Sequence, residues 1–383
     1  MKIIIVGLGE TGRSLVKLLD GSEHDITVID KDKAKVDMMT DRYSVNGICG
    51  SGASTKTLMK AGAHVTDVLV ALTHIDEINL LACMQAKACG TRNCTARILM
   101  PDLADERDLL KEKYRIDYII SPKKDLAKEI YANIGLPGYV KLESCIEDKV
   151  YAIDINAVGK SPLIGRTIEQ IRTEVDPNLM VGVINRGRRH FVPKDKDIVK
   201  ENDGLYMVVN AKHLDEALVS LGITRIKTGN VCIVGGGITG KSLAKMLTKD
   251  KINISIIDND LATCRELMEL YPNANVVYAE GDMTEVLEEE RVDKADSIIS
   301  LTDNDETNLV ISMFAWSNGV KSVITRVDKQ VHLKLLHKVN IDITISPTEL
   351  CVFRIMRFIH GCMDKNDDEN LEIMEFIGDL RRF

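Results

Sequence analysis

The fold of this chain is decided by two stretches that repeat each other: KIIIVGLGETGRSLVKLL at residues 2–19 and NVCIVGGGITGKSLAKML at residues 230–247. Ten of these 18 positions are identical without a gap. In each stretch a short apolar run leads into a glycine-rich turn and then into an amphipathic segment, which is the order strand, turn, helix.

The repetition continues along the chain in the same order. DVLVALTHIDEINL at residues 67–80 matches DSIISLTDNDETNL at 296–309, and IDYIISP at 116–122 matches IDITISP at 341–347. The repeated unit is far longer than the roughly 20–50 residues of a solenoid repeat. The pattern therefore indicates a duplicated domain.

Alternating apolar runs and helical patterns predict an α/β fold with two Rossmann-type, doubly wound parallel-sheet domains and a small α+β lobe between them. In the first copy we expect strands at 3–6, 26–29, 68–72, 96–99 and 118–120, and helices at 76–89 and 104–113, with Leu15, Leu18 and Leu19 on one face of the first helix. The middle segment predicts antiparallel strands at 150–155, 180–185 and 205–209 and helices at 167–173 and 214–221. The expected domains are 1–136, 139–222 and 228–360, followed by an acidic tail with a short helix at 363–383.

The glycine turn has the spacing and the context of a dinucleotide-binding loop. Gly7 allows the tight turn, Gly9 allows close approach of a pyrophosphate, and Gly12 allows the helix to pack on the strand. Asp30 ends the next strand, 23 residues after Gly7. A carboxylate there accepts ribose hydroxyls and repels a 2′-phosphate, which favours NAD over NADP. The alternative is that Asp30 only begins a polar loop.

The second copy repeats this arrangement with Gly235, Gly237 and Gly240, and Asp258 again follows after 23 residues. Its loop differs in carrying Gly236 and Ile238 where the first copy has Leu8 and Glu10.

Other polar residues recur at strand ends, where open α/β sheets bind their ligands. Arg13 and Lys241 follow the third glycine and could reach a terminal phosphate or be solvated. Arg97 and Arg326 suit bidentate phosphate contact, with a structural ion pair as the alternative. Thr73 and Thr302 offer hydroxyls. The repeated D-E-x-N at 76–79 and 305–308 is either helix capping and packing or an acid–base or cation site.

Composition narrows the function. The chain has 383 residues and a formal net charge of −8, which argues against nucleic-acid binding. No apolar run is long enough for a membrane span, and the start, which runs directly into the glycine loop, predicts no signal peptide. The nine cysteines form no C-x-x-C pair and predict no metal site. No recurring His–Asp or Lys–Asp pair suggests catalysis, so we expect a cytoplasmic sensor; the rivals are an NAD-dependent oxidoreductase with duplicated Rossmann domains and a nucleotide-binding scaffold.

The residues resemble the RCK (also called KTN) domain family of cytosolic potassium-transport regulators. The resemblance rests on the glycine stretches, VIDKD, the ALT-x-x-DE-x-N block, TARI, IDYIISP and the small-lobe segment SPLIGRTI at 161–168, and it spans about residues 1–360. It implies a homo-oligomeric ring on the cytoplasmic face of the plasma membrane, bound to a Trk-type membrane potassium subunit. NAD(H), ATP or ADP would bind in the Rossmann lobes and gate the pore.

By motif position, the resemblance also implies two sets of binding residues. The first set is Gly7, Leu8, Gly9, Glu10, Thr11, Gly12, Arg13, Asp30, Ser51, Thr73, His74 and Arg97. The second is Gly235, Gly236, Gly237, Ile238, Thr239, Gly240, Lys241, Asp258, Asp282, Thr302 and Arg326. Two departures stand out: Ser51 replaces the acid that faces the adenine, which Asp282 keeps, and the family's second small lobe is not found after residue 360.

Overall fold

The computed structural model describes residues 1–145, 149–159, 161–187, 189–279, 283–329, 332 and 343–362. Along the chain, two parallel six-stranded sheets flank one antiparallel five-stranded sheet. This architecture confirms the predicted fold class. The expected tail helix and the Asp282 position lie outside the described residues.

The first sheet has the strand order β3-β2-β1-β4-β5-β6 and is parallel throughout. Its strands are β1 (Lys2–Val6), β2 (Asp25–Asp30), β3 (Asn46–Cys49), β4 (Val68–Ala71), β5 (Asn93–Arg97) and β6 (Tyr118–Ile120). The helices are α1 (Glu10–Leu19), α2 (Lys33–Arg42), α3 (Thr55–Lys60), α4 (Asp76–Cys89), α5 (Pro101–Asp105), α6 (Arg107–Tyr114) and α7 (Pro122–Asn133). The central strands are apolar and buried because helices connect parallel strands and cover the sheet.

Two local expectations were wrong in detail. The strand expected at 96–99 ends at Arg97, because the Leu99 backbone N–H donates to the Asp76 carboxylate instead of a neighbouring strand. The helix expected at 104–113 is divided in two at Glu106, where ψ is 18°. In α1, Leu15 and Leu19 are buried and Leu18 is half-buried, and Val16 is buried as well. Strand β3 and helices α2, α3 and α7 were not expected at all.

The middle lobe is built on the antiparallel sheet. Its strands, in the order β10-β9-β11-β8-β7, are β7 (Val140–Ser144), β8 (Val150–Asn156), β9 (Met180–Arg186), β10 (Arg189–Phe191) and β11 (Gly204–Asn210). Helix α8 (Ile168–Gln170) begins with a capping box between Thr167 and Gln170 and continues as a π-type turn at Ile171–Val175, and α9 (Leu214–Ser220) follows β11. The buried Asp203 carboxylate holds the Arg186 guanidinium through two bonds of 2.8 and 2.7 Å.

The third sheet repeats the first, in the order β14-β13-β12-β15-β16-β17. Its strands are β12 (Asn230–Val234), β13 (Asn253–Asp258), β14 (Asn275–Tyr278), β15 (Ser297–Ser300), β16 (Ser322–Arg326) and β17 (Ile343–Ile345). The helices are α10 (Ile238–Lys249), α11 (Leu261–Leu270), α12 (Met283–Glu289), α13 (Asp305–Ser317) and α14 (Pro347–Gly361). In both parallel sheets the strand order reverses beside the first strand, and ligands of such sheets bind outside the carboxyl ends of the strands at that point.

The chain forms two compact units, and each includes a helix from the other copy. One unit comprises Met1–Asp125 with the described residues from Thr348 onward. Within it, Nη1 of Arg354 in α14 lies 3.2 Å from Oδ1 of the buried Asp125, and the ring of Phe358 stacks on that of Tyr118. The other comprises Leu126–Pro347; there, Tyr131 of α7 donates a hydrogen bond to Asp250 after α10. The domain limits expected from the sequence stay a prediction.

Among the helices that the structure describes, none combines the length and the apolar character needed to cross a bilayer.

Candidate functional site

The three glycines of the first loop have three different surroundings. A Cβ at Gly12 would lie 2.1 Å from the Gly7 carbonyl oxygen, so only glycine permits this contact. Gly7 has a φ of +99°, and a Cβ there would lie 2.8 Å from the backbone nitrogen of Thr73. A Cβ at Gly9 would meet no described atom within 4 Å. Packing thus requires the first and third glycines, while the second faces space that a ligand can occupy.

The second loop has the same geometry. Gly235 has a φ of +110°, a Cβ at Gly240 would lie 2.2 Å from the Gly235 carbonyl oxygen, and a Cβ at Gly237 would have open space around it within the described residues. The packing of the loops differs between the first two glycines of the motif, because Leu8 is fully buried whereas a Cβ at Gly236 would lie 2.5 Å from the Leu267 side chain.

Each loop runs into the N-terminus of a helix whose first turn is available to an anion. Helix α1 follows Gly9 and helix α10 follows Gly237, and no described side chain caps either one. Thr11 and Thr239 are buried in these first turns. The unpaired N–H groups and the positive end of the helix dipole favour a phosphate at both places.

The acid at the end of the second strand holds the loop in each copy. The Asp30 carboxylate accepts the Leu8 N–H at 2.6 Å, and the Asp258 carboxylate accepts the Gly236 N–H at the same distance. These residues therefore do more than begin polar loops. Since a carboxylate can accept about four hydrogen bonds, both can still accept a ribose hydroxyl.

Asn79 connects two strand ends through four hydrogen bonds. Its Oδ1 accepts from the Thr73 backbone N–H at 2.8 Å and from the Thr73 hydroxyl at 2.7 Å. Its Nδ2 donates to the carbonyls of Thr73 and Arg97, both at 2.8 Å. Because Asn79 is fully buried, it fixes Thr73 and Arg97 relative to each other.

Asn308 makes the same four bonds in the second copy. It accepts from the Thr302 N–H and hydroxyl at 2.9 and 2.7 Å and donates to the carbonyls of Thr302 and Arg326 at 2.9 and 3.1 Å. Both asparagines stand in the D-E-x-N block, but their role was not predicted from the sequence, where only the acids of that block have a recognisable capping or acid–base pattern.

The aspartates of the D-E-x-N block accept backbone N–H groups. Asp76 accepts the Leu99 and Met100 N–H groups at 2.9 and 2.7 Å. Asp305 accepts the N–H of Asp328 at 3.0 Å and of Lys329 at 2.8 Å. This geometry fits the capping and packing interpretation, although the capped N–H groups belong to the loop after the next strand and not to the aspartate's own helix.

Burial alone would raise the pKa of Asp305. The backbone N–H groups of Lys329 and Asp328 and the His332 ring, whose Nδ1 lies 3.2 Å away, together hold that pKa below its ordinary value. The carboxylate therefore stays ionised and accepts the N–H groups of the loop that follows β16.

Arg97 lies across the first site, as the sequence predicts from its strand-end position. Its guanidinium donates to the carbonyls of Leu72 and Thr73 at 2.8 and 3.0 Å and to the Thr11 hydroxyl at 3.3 Å. The structure thus brings Arg97, Thr73 and the glycine loop together at the carboxyl ends of the strands.

Arg326 has different partners in the second site. It donates to Asp303 at 2.7 Å, to Asp328 at 2.9 Å and to the Thr302 carbonyl at 3.4 Å. Burial would lower the pKa of Arg326, but the hydrogen bonds and charges of the two aspartates raise it overall. Lys241, beside the glycine loop, also has an acid partner, Glu266, at 2.5 Å.

The remaining predicted residues lie around this edge of the sheet. Ser51 is half-buried in the loop after β3, and a Cβ at the next residue, Gly52, would lie 2.1 Å from Val6, which places this loop against the end of β1. Glu10 and His74 are exposed, and Arg13 and Ile238 are half-buried in their helices. In the described residues no group of His, Cys, Asp or Glu has an arrangement that could hold a metal ion.

A family model described as the TrkA-N domain matches this chain twice, at residues 3–122 and 231–347. The chain is 30% identical over 364 residues to the Trk system potassium uptake protein TrkA of Vibrio alginolyticus, covering 94% of this chain and 79% of that protein. It is 29% identical over 388 residues to a TrkA homologue of Methanosarcina mazei, covering 98% and 94% of the two chains.

Solved structures show the same fold at low sequence identity. The GsuK channel bound to NAD is 17% identical with a TM-score of 0.67, and this chain spans 65% of it. The GsuK RCK domain is 18% identical with a TM-score of 0.64, covering 92% of this chain and 74% of that one. The human SLO3 gating ring is 11% identical with a TM-score of 0.57, covering 99% and 84%. With the family model matched over both Rossmann lobes, the chain belongs to the TrkA-N family of potassium-transport regulators.

Proposed function

We propose that this chain is a nucleotide-sensing regulatory subunit of a Trk-type potassium uptake system. It binds NAD(H), ATP or ADP in both Rossmann lobes and uses that binding to gate potassium transport. The observation that carries the proposal is the pair of glycine loops, in which Gly9 and Gly237 face open space at uncapped helix N-termini in a TrkA-N chain.

The ligand's phosphates lie on the first turns of α1 and α10, where free N–H groups and the helix dipole favour negative charge. Arg97 adds a guanidinium to the first site. Asp30 and Asp258 accept the ribose hydroxyls with the lone pairs that the loop N–H groups leave free. The same carboxylates repel a 2′-phosphate, so the dinucleotide is NAD(H) rather than its 2′-phosphorylated form.

The base of the ligand lies near the loop after the third strand of each sheet. Ser51 is the base-side residue of the first site and Asp282 that of the second, following the motif positions of the family. Thr73 and Thr302 take part by fixing the strand ends beside the ligand, since their hydroxyls and their backbone N–H groups are already donated to Asn79 and Asn308.

Gating follows from differential affinity. A nucleotide shifts the equilibrium between two conformations only by the difference in its affinity for them, typically about 1–3 kcal/mol per site. Two sites per chain in a homo-oligomeric ring sum their contributions on a Trk-type membrane subunit, at the cytoplasmic face of the membrane. The names of the relatives support this assembly: a Trk system potassium uptake protein, the RCK domain of the GsuK channel and a gating ring.

Calorimetric titration with NAD, NADH, ATP and ADP tests the binding step. Gly9→Val and Gly237→Val are suited to blocking one site each, because both backbones have a φ that valine can adopt (−69° and −61°) and because open space surrounds both positions in the described residues. We expect two sites in the unmodified chain, one in each variant and none in the double variant. A double variant that binds as the unmodified chain does would refute the assignment of the sites.

Potassium flux tests the regulatory step. Vesicles that contain a Trk-type membrane subunit are loaded with this chain, and flux is followed with and without nucleotide. We expect nucleotide-dependent flux with the unmodified chain and nucleotide-independent flux with the double variant. A parallel assay of NADH absorbance with carbonyl substrates distinguishes the oxidoreductase, which would consume NADH.

A further inference from the structure

The two candidate sites differ in how their cations are neutralised. In the second site, Arg326 is paired with both Asp303 and Asp328 at 2.7 and 2.9 Å, and Lys241 is paired with Glu266 at 2.5 Å. Each cation of this site therefore already has at least one carboxylate.

The corresponding cations of the first site have no such partners. Within the described part of the chain, neither Arg97 nor Arg13 forms an ion pair; Arg97 donates only to neutral oxygens. The cause is visible in the sequence, because the positions aligned with the three acids of the second site are neutral residues: His74 for Asp303, Leu99 for Asp328 and Met38 for Glu266.

The alignment of these positions is fixed by the structure. The Leu99 N–H donates to Asp76 just as the Asp328 N–H donates to Asp305, so the two residues hold the same place in the loop after β5 and β16. The same change therefore occurs at two separate cations, the arginine at the strand end and the basic residue that follows the third glycine.

Two further differences lie at the loops. Glu10 opens α1 where Ile238 opens α10, which adds an acid to the first site. Water screens the charge of the exposed Glu10 as it does those of the exposed Asp303 and Glu266, so the half-buried Asp328 is the strongest of the three acid partners in the second site. Lys31 follows Asp30 where the neutral Asn259 follows Asp258, which adds a base to the same site. The added acid and the added base offset each other in net charge, so the main difference between the two sites is the ion pairing of their arginines.

A paired guanidinium is a poor phosphate ligand. Its donors are already directed at carboxylates, and a phosphate brought beside it would meet the negative charges of Asp303 and Asp328. A guanidinium that donates only to carbonyls and a hydroxyl keeps its full charge and gains a charge-assisted bond when a phosphate arrives.

We infer that the two sites select ligands of different charge. The first site takes a nucleoside di- or triphosphate, whose terminal phosphate is held by the free charge of Arg97 with Arg13. The second site takes a dinucleotide such as NAD, whose two phosphates are joined to each other by an anhydride bond and are each esterified to a ribose, so that neither is a terminal group. This selectivity rests on the proposed function and goes beyond it, because it assigns a different ligand class to each copy.

The test measures each site alone in the full-length chain. Gly237→Val leaves the first site open and Gly9→Val leaves the second, and each variant is titrated with ATP and with NAD. We expect the ratio of ATP to NAD affinity to be at least about tenfold higher in the first site, which corresponds to about 1.4 kcal/mol.

Charge exchange then tests the cause. In the Gly9→Val chain, Asp303→Asn with Asp328→Asn frees Arg326 and raises the ATP to NAD ratio about tenfold. In the Gly237→Val chain, His74→Asp with Leu99→Asp neutralises Arg97 and lowers that ratio by a similar factor. The matched control, His74→Asn with Leu99→Asn, changes polarity without charge and leaves the ratio nearly as it was.

Failure of this inference and failure of the proposed function have different signatures. If both isolated sites bind nucleotides with the same ATP to NAD ratio, and the aspartate exchanges leave it unchanged, the charge selectivity is wrong while nucleotide binding stands. If neither isolated site binds ATP or NAD, the proposed function itself is wrong.

Discussion

The two Rossmann lobes are the same at their backbone and different at the side chains that surround it. Both have a left-handed first glycine, a third glycine in contact with the first, and a buried asparagine with four hydrogen bonds. The side chains beside the arginines have changed from acids to neutral residues between the copies. The contacts that hold the strand ends are thus the same in both copies, while the charges beside the two arginines differ.

The cores also differ, although their shapes agree. In the second lobe, Ser312 lies between Ser300 and Thr325 with hydroxyl distances of 3.0 and 2.6 Å. The aligned residues of the first lobe are Cys83, Ala71 and Ala96, and burial raises the pKa of the Cys83 thiol well above its ordinary value. The same position in the fold is therefore filled by a buried hydroxyl network in the second lobe and by a cysteine and two alanines in the first.

The largest effect is expected from removing the shared asparagine. Asn79→Ala leaves the N–H of Thr73 and the carbonyl of Arg97 without their buried partner, and Asn308→Ala does the same in the second lobe. Each change should destabilise its lobe by about 3–5 kcal/mol, because several buried polar groups lose their hydrogen bonds together. Hydrogen exchange measured peptide by peptide reports each lobe separately.

The corresponding aspartates, Asn79→Asp and Asn308→Asp, keep the acceptor but bury a carboxylate oxygen against two carbonyl oxygens, and they should cost at least as much as alanine at neutral pH. Equal losses in the two lobes support a common backbone function. A loss of stability in one lobe only would show that Asn79 and Asn308 do not have the same role.

The third glycine should give the next largest effect. Gly12→Ala places a Cβ 2.1 Å from the Gly7 carbonyl oxygen and should cost about 2–3 kcal/mol, because the loop and α1 must separate. Gly9→Ala is the matched control, since open space surrounds its Cβ, and it should leave the midpoint of urea unfolding nearly unchanged. Similar midpoints for the two variants would show that α1 is not held by this contact.

Acid should affect the second lobe through Asp305. Since the folded-state pKa of this carboxyl lies below its ordinary value, its contribution to stability is present above about pH 4 and is lost as the pH falls through the folded-state pKa. We expect Asp305→Asn to lower stability at neutral pH and to reduce the acid dependence of protection in peptides around β16. An unchanged pH profile in this variant would remove Asp305 as the cause.

The fold class could be predicted from the sequence because both lobes begin with a strand, a glycine turn and a helix in the same order. The sequence also predicted the strand-end positions of Arg97 and Arg326. It missed β3, whose four residues NGIC carry little apolar pattern, and it placed the end of β5 two residues late because Asp76, distant in the chain, takes the N–H of Leu99. Contacts between distant residues decide such boundaries.

The difference in ion pairing between Arg97 and Arg326 was not predicted from the sequence either, for a related reason. A structural ion pair was one of the two interpretations of Arg97 and Arg326, but the same interpretation was applied to both. Only the positions of Asp303 and Asp328 around Arg326 show that one arginine is paired and the other is not. An alignment of the two copies shows neutral residues at 74 and 99 where the second copy has Asp303 and Asp328, and this difference could have predicted the unpaired arginine.

The smallest expected effect distinguishes the two cores. Ser312→Ala removes the hydroxyl between Ser300 and Thr325 and should destabilise the second lobe by about 1–2 kcal/mol, because two buried hydroxyls lose a partner. The matched change in the first lobe, Cys83→Ala, removes a buried thiol whose hydrogen bond to the Thr95 carbonyl is a weak one, at 3.4 Å, and it should act mainly through lost packing. Adding Ser300→Ala and Thr325→Val to Ser312→Ala should therefore recover stability, since no hydroxyl is left unpaired, as measured by hydrogen exchange in the second lobe. If the triple variant is less stable than Ser312→Ala alone, the hydroxyl trio stabilises the lobe through its packing and not through its pairing.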